Sequence, residues 1–173
     1  IRRVPYSVDF TKNALTFKHI QNGNALPNVP TSYGEDGSFN AEVHSTGEVW
    51  ATMLWECYVG LLRDSRHTFV QAQDRMKKYL VASLKLTPIE PTLLEARDAL
   101  LATAYAGDEA DFVTFAQAFA RRGAGVGANG PAKESPDNGV VKESYYIGNV
   151  ATLVDASLLD DSVTCDRDGF LDD

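Results

Sequence analysis

Apolar positions recur with a helical period from residue 45 onward. Val49, Met53 and Cys57 fall on one line, with Trp50, Leu54, Tyr58 and Leu61 beside it, and this broad apolar face predicts a first amphipathic helix. Ser45 and Glu48 stand in S-x-x-E spacing. In that spacing the hydroxyl takes the backbone N–H three residues on while the carboxylate reaches back, so Ser45 is the predicted N-cap. Phe69, Met76, Leu80 and Leu84 predict a second helix after Arg66. Thr92 and Glu95, just after Pro91, form another such box and open a third helix through Leu94, Leu101 and Tyr105 to Gly107. Asp108 caps a fourth, which carries Phe112, Phe115, Ala116 and Phe119 and stops at Gly123.

Four amphipathic helices joined by short connections must bury their stripes against one another, so residues 45–123 read as one helical core of a mainly α lobe. Trp50, Leu54, Leu80, Leu101, Phe115 and Phe119 are its expected interior. Residues 1 to about 40 lack the helical period and are punctuated by Pro5, Pro27, Pro30, Asn22-Gly23 and Asp36-Gly37. They read as a long irregular segment laid on the core. Residues 124–144 are rich in Gly, Pro, Asn and charge and predict a loop, followed by a short extended piece at Tyr145, Tyr146 and Ile147. The lobe is thus expected over residues 1–150. Residues 151–173 read as an acidic linker or the start of a following domain.

Composition adds exclusions. With 44% hydrophobic and 23% charged residues the 173-residue chain is that of an ordinary globular domain, and its two ends read as those of an excised piece. A net charge of −8 without clustered Lys and Arg disfavours nucleic acid as a partner. No apolar run approaches the ~20 residues that span a bilayer, which disfavours a membrane partner. Cys57 lies on the apolar stripe and reads as a buried thiol, a bridge to Cys165 being the other reading. His19, His44 and His67 share no metal-ligand spacing, and His67 reads as a surface residue near a helix start. Gly125 to Gly130 matches G-x-G-x-x-G, but it follows a helix instead of a strand, so the dinucleotide reading fails on context. Asp166, Asp168 and Asp172 around Gly169 suggest calcium but fall short of an EF-hand loop, and a solvated acidic end is the plainer reading.

His44 immediately precedes the predicted Ser45 cap. It would sit just outside a helix N-terminus, where a rigid element can aim a donor at a substrate, although a structural histidine fits the same position. Several separated motifs stand around it in order. They are Arg2-Arg3-Val4-Pro5-Tyr6-Ser7, Asn13-Ala14-Leu15-Thr16, Glu42-Val43-His44-Ser45-Thr46-Gly47-Glu48-Val49-Trp50-Ala51, Leu84-Lys85-Leu86-Thr87-Pro88, Ala96-Arg97-Asp98-Ala99 and Phe119-Ala120-Arg121-Arg122-Gly123. Together they resemble the carboxyl-terminal half of the fungalysin-type zinc metallopeptidases, enzymes of thermolysin-like build, over roughly residues 1–130.

The resemblance implies the helical lobe of a secreted, extracellular zinc endopeptidase. Its partners would be an amino-terminal zinc-bearing lobe of the same parent and a peptide or protein substrate. On that pattern His44 is the catalytic histidine that donates to the oxyanion. Arg2 is the arginine that holds a substrate carbonyl, with Arg3 the less favoured occupant. The H-E-x-x-H motif is missing, so zinc is expected in the parent and not on this chain, and none of Glu42, Glu48 or Glu56 stands in for the third ligand. The thermolysin pattern also places an orienting aspartate five residues before the histidine. Here that position is Phe39, which leaves Glu42 or Asp36 to serve. A non-catalytic helical binding module derived from such a lobe is the alternative function.

Overall fold

In the computed structural model, which describes residues 2–28 and 33–148, four helices form the body and no strand occurs among the described residues. They are α1 (Val43–Arg63), α2 (Phe69–Leu86), α3 (Leu93–Gly107) and α4 (Glu109–Arg121), preceded by a 3₁₀ turn at Phe17–Ile20. The architecture is the packed helical lobe that the periodicity predicts. The expected linker at 151–173, with Asp166, Asp168, Asp172 and Cys165, lies outside the described residues. None of the helices is long and apolar enough to cross a membrane.

Local chemistry sets most of the helix ends. Thr92 and Glu95 exchange hydrogen bonds at 3.2 and 2.7 Å, and Thr68 and Gln71 do the same for α2. Asp108 accepts from the N–H groups of Ala110 and Asp111. Gly123, with φ of 83°, takes the left-handed conformation that ends α4. At α1 the cap differs from expectation. Glu42, not Ser45, is the N-cap, its carboxylate accepting from the N–H groups of His44 and Ser45. Ser45 loses the role because its intended partner Glu48 is held elsewhere, by Arg3.

The core follows the predicted lines on α1 and α4. Val49, Met53, Cys57 and Leu61 are buried against Phe115 and Phe119, and Leu100 and Ala104 close the interior from α3. Trp50 stacks on Phe119 at 5.9 Å between ring centroids, and Trp50, Leu54 and Leu101 are partly buried on the same cluster. On α2 the expected stripe is displaced. Phe69 and Leu84 are exposed and Leu80 is half-buried, whereas Ala72, Tyr79 and Ser83 face inward. The reason is Tyr79, whose ring packs edge-on against Phe115 while its hydroxyl donates to Asp111 at 2.8 Å, and that contact fixes the rotation of α2. His67 also departs from its surface reading, for its side chain is enclosed with Nε2 3.1 Å from Asp111.

The irregular amino-terminal segment is held down by two buried arginines. Arg122 donates from Nε to Glu56 at 2.7 Å and from its remaining nitrogens to the carbonyls of Asn13, Leu15 and Ser7. Arg3 is gripped by Glu48 through two hydrogen bonds of 2.7 Å. The loop after α4 folds back so that Gly125 N donates to Ser144 O and Val126 N to Tyr146 O. A Cβ at Gly125 would lie 2.4 Å from that Tyr146 oxygen, so the first glycine of the nucleotide-like motif serves a close backbone approach.

His19 gives the fold a pH dependence. Its ring is buried and its Nδ1 accepts from Thr16 N at 2.8 Å, an arrangement that only the unprotonated nitrogen can make. Burial, and secondarily the charge of Lys18, pushes its pKa down from 6.5 to about 4. The unfolded chain therefore binds the proton first, so stability is complete above the ordinary histidine range and is lost as pH falls toward 4. The loss by pH 4.5 is roughly 2–3 kcal/mol, or on the order of 5–10 °C in Tm. Melting curves between pH 7 and 4.5 for the native chain and His19→Asn test this. Equal slopes for the two proteins would show that another group is responsible.

Candidate active-site face

His44 occupies the second position of α1, three positions further into the helix than a cap at Ser45 would place it. Its side chain is 61% exposed, and Nδ1 lies 2.8 Å from Glu42 Oε1. Glu42 thus has two tasks, one for each oxygen. Oε2 caps the helix through the His44 and Ser45 N–H groups, while Oε1 holds the ring. These bonds, the one to the His44 ring foremost, lower the Glu42 pKa. An ionised carboxylate can only accept, so Nδ1 carries the hydrogen and Nε2 is the nitrogen left to face a ligand. Asp36, the other candidate for this task, instead accepts from Ser38 N in its own turn.

Arg3 connects this helix start to the amino-terminal segment. Besides Glu48, it donates to Asn40 Oδ1 at 2.7 Å and to the Ser45 carbonyl at 2.9 Å. It is 3% exposed, with its backbone N–H and all three guanidinium nitrogens engaged, and so is removed from consideration as a substrate ligand. Arg2, its exposed neighbour, lies with its guanidinium 4.6 Å from the centroid of the Tyr6 ring. Tyr6 stacks on Trp55, and Trp55 meets Tyr58 edge-on, both pairs at 5.8 Å. Eleven residues separate His44 from Trp55, three helical turns within about 20°, so the two share one face of α1. The Arg3 clamp therefore brings Arg2 and His44 to the same end of the lobe, each one residue from a clamped position.

The three glutamates set aside as zinc ligands are all committed. Glu42 holds His44, Glu48 holds Arg3, and Glu56 holds Arg122 with a 2.6 Å contact. Among the described residues one metal-compatible group converges, Asp64, His67 and Asp111, with ligand atoms within 4.8 Å of one another. Arginines fill it. Arg66 reaches Asp64 at 2.6 Å and Asp111 at 2.9 Å, and Arg75 reaches Asp111 at 2.7 Å. It also stands at the far end of α1, about 30 Å along the helix axis from His44. The described residues do not fit a catalytic zinc beside His44.

The family model described as fungalysin metallopeptidase (M36) matches residues 1–128, and the chain belongs to that family. It is 32% identical over 143 residues to the extracellular metalloproteinase MEP of Neosartorya fischeri, covering 74% of this chain and 19% of that protein. The extracellular metalloproteinase mep of Aspergillus niger is 30% identical over 147 residues, covering 74% of this chain and 20% of its own length. Extracellular metalloproteinase 10 of Coccidioides posadasii is 31% identical over 141 residues, with the same coverages of 74% and 20%. The chain spans about a fifth of the length of the curated relatives it matches.

Proposed function

We propose that this chain is the carboxyl-terminal lobe of a secreted zinc metalloendopeptidase, supplying substrate-binding and oxyanion-stabilising groups to a catalytic centre it does not complete alone. The observation that carries the reading is the Glu42–His44 contact, which holds an exposed imidazole by its Nδ1. The zinc and its ligands would belong to an amino-terminal lobe of the same parent. In this lobe His44 acts as the imidazolium, the form in which both ring nitrogens are donors: Nδ1–H stays on Glu42 while Nε2–H donates to the oxygen on which negative charge develops during attack on the peptide carbonyl. Arg2 donates to a backbone carbonyl of the bound peptide. The extracellular names of the relatives support secretion.

Two measurements test this. The isolated chain is expected to retain no stoichiometric zinc after dialysis and to leave casein intact, because a catalytic zinc needs three protein ligands. A tight 1:1 zinc complex with chelator-blocked casein hydrolysis by the chain alone would overturn the reading. In the full-length parent, Arg2→Ala is expected to raise KM about tenfold or more, the worth of one hydrogen bond from a charged donor. A parent that shows no chelator-sensitive hydrolysis would instead make this lobe a non-catalytic binding module.

A further inference from the structure

A cavity of about 610 Å³ lies on α2 and α3, elements that carry none of the candidate site residues. Two adjacent rows of α2 form its walls at i, i+4 spacing, Lys77-Val81-Lys85 and Lys78-Ala82-Leu86, and Thr103 of α3 borders it. Val81 and Leu86 are 55% and 60% exposed, and Ile89 stands almost fully in solvent just beyond the helix. Val81, Ala82 and Leu86 thus present an uncovered apolar strip in the cavity, a surface open to docking. It is framed by three of the chain's seven lysines. Lys77 makes one 4.0 Å contact to Asp74, and neither Lys78 nor Lys85 has an ion-pair partner among the described residues. On a chain of net charge −8, an apolar groove edged with three exposed lysines selects an acidic, amphipathic occupant.

Such a segment is tethered to the lobe. Residues 149–173 carry seven aspartates against the single Arg167, so they hold six of the eight net negative charges. Within them Leu153-Val154-Asp155-Ala156-Ser157-Leu158-Leu159-Asp160-Asp161 combines four large apolar residues with three carboxylates. The described chain approaches the groove from the right side. Ile147 lies with Asp98 and Leu101 of α3 around a smaller cleft, while Thr103 borders the lysine groove on the other flank of the same helix. Half the circumference of a helix ~11 Å across is ~17 Å, which five extended residues span. Residues 148–152 are therefore enough to bring Leu153 to the groove. We propose that residues 153–161 dock in the lysine-edged groove of α2, with Leu158 and Leu159 on Val81 and Leu86 and the aspartates against Lys77, Lys78 and Lys85. A short tether makes the effective concentration of the segment on the order of millimolar, so modest affinity suffices.

Cys165, four residues beyond the segment, supplies a label site in the full chain. Cys57 is fully buried and its thiol pKa is pushed well up by burial, so a thiol-directed spin label goes to Cys165. Paramagnetic broadening is expected in the amide signals of residues 77–86 and 103, weakened at about 1 M salt, where screening falls to ~3 Å. The charge reversal Lys77→Glu, Lys78→Glu, Lys85→Glu should abolish it with the helical CD spectrum unchanged, since all three side chains are on the surface. Broadening elsewhere, or broadening at α2 that survives the reversal, overturns the proposal. So does broadening that crosses from labelled to unlabelled molecules in a mixed sample and fades on dilution, which would make the occupant a second copy. None of these outcomes depends on peptidase activity, so the proposed function stands or falls separately.

Discussion

Replacing Arg122 with alanine is expected to cost about 3–5 kcal/mol, the range for removing one member of a buried ion pair, against total stabilities of ~5–15 kcal/mol for ordinary domains. Arg122 is fully buried, and its guanidinium makes four hydrogen bonds to groups from three separate stretches of chain. The side chain also lies over the Phe10 ring, 4.2 Å from its centroid. Its loss takes this donor from the carbonyls of Ser7, Asn13 and Leu15 and leaves the Glu56 carboxylate with Arg121 in place of a buried partner. Arg121 offers Glu56 only a 3.4 Å contact from a half-exposed position, which softens the charge but returns nothing to the carbonyls. Arg122→Lys should recover part of the loss, because an ammonium keeps the charge but cannot reproduce the planar fork. Urea titration followed by helical CD gives the numbers. Early proteolysis near residues 7–15 should accompany them, since those carbonyls anchor the segment. A cost below about 1 kcal/mol would mean that water replaces the guanidinium freely and that the anchor is ornamental.

This arginine also shows where the sequence stops being legible. The caps at Thr92 and Asp108 and the buried line Val49, Met53 and Cys57 could be read directly, because their chemistry is complete within four residues. Arg122 carries no local sign of burial. What buries it are acceptors 66 to 115 residues away in sequence, and one chain offers no means of pairing them in advance. The misplaced cap of α1 has the same origin. Ser45 and Glu48 have ideal spacing, but Glu48 is taken by Arg3 across 45 residues, and Glu42 fills the vacant role from outside the helix. On α2 the reading failed for a different reason. Hydrophobicity pointed to Phe69 and Leu84, yet the buried face is made of Ala72, Tyr79 and Ser83, small or polar side chains whose burial rests on Asp111 in another helix. The site was half legible. His44 and Arg2 stood out by resemblance, and Glu42 was one of two groups offered to orient the ring. Choosing it over Asp36 required the geometry of the helix start.

That geometry sets the second large effect, which belongs to the full-length parent. His44→Ala is expected to lower kcat by about 10²- to 10³-fold, the loss typical of one oxyanion donor, with little change in KM. The split follows from timing. A donor to the oxyanion gains strength only as charge develops, so its removal acts on turnover, whereas a donor to an uncharged substrate carbonyl acts on binding as well. Folding should be nearly untouched, because the His44 ring is mostly in solvent and Glu42 caps α1 through the backbone N–H groups, which alanine keeps. Glu42→Gln separates the two tasks of that carboxylate. An amide has one acceptor oxygen for the cap and the ring together, so kcat should fall while helix content holds, and the ¹⁵N shifts of the His44 ring should report loss of the fixed Nδ1–H form. The measurements are zinc content, melting temperature and peptide hydrolysis on the parent and both variants. Near-normal turnover in His44→Ala, or a loss explained by unfolding, would make His44 a structural residue and leave the lobe without a catalytic group of its own.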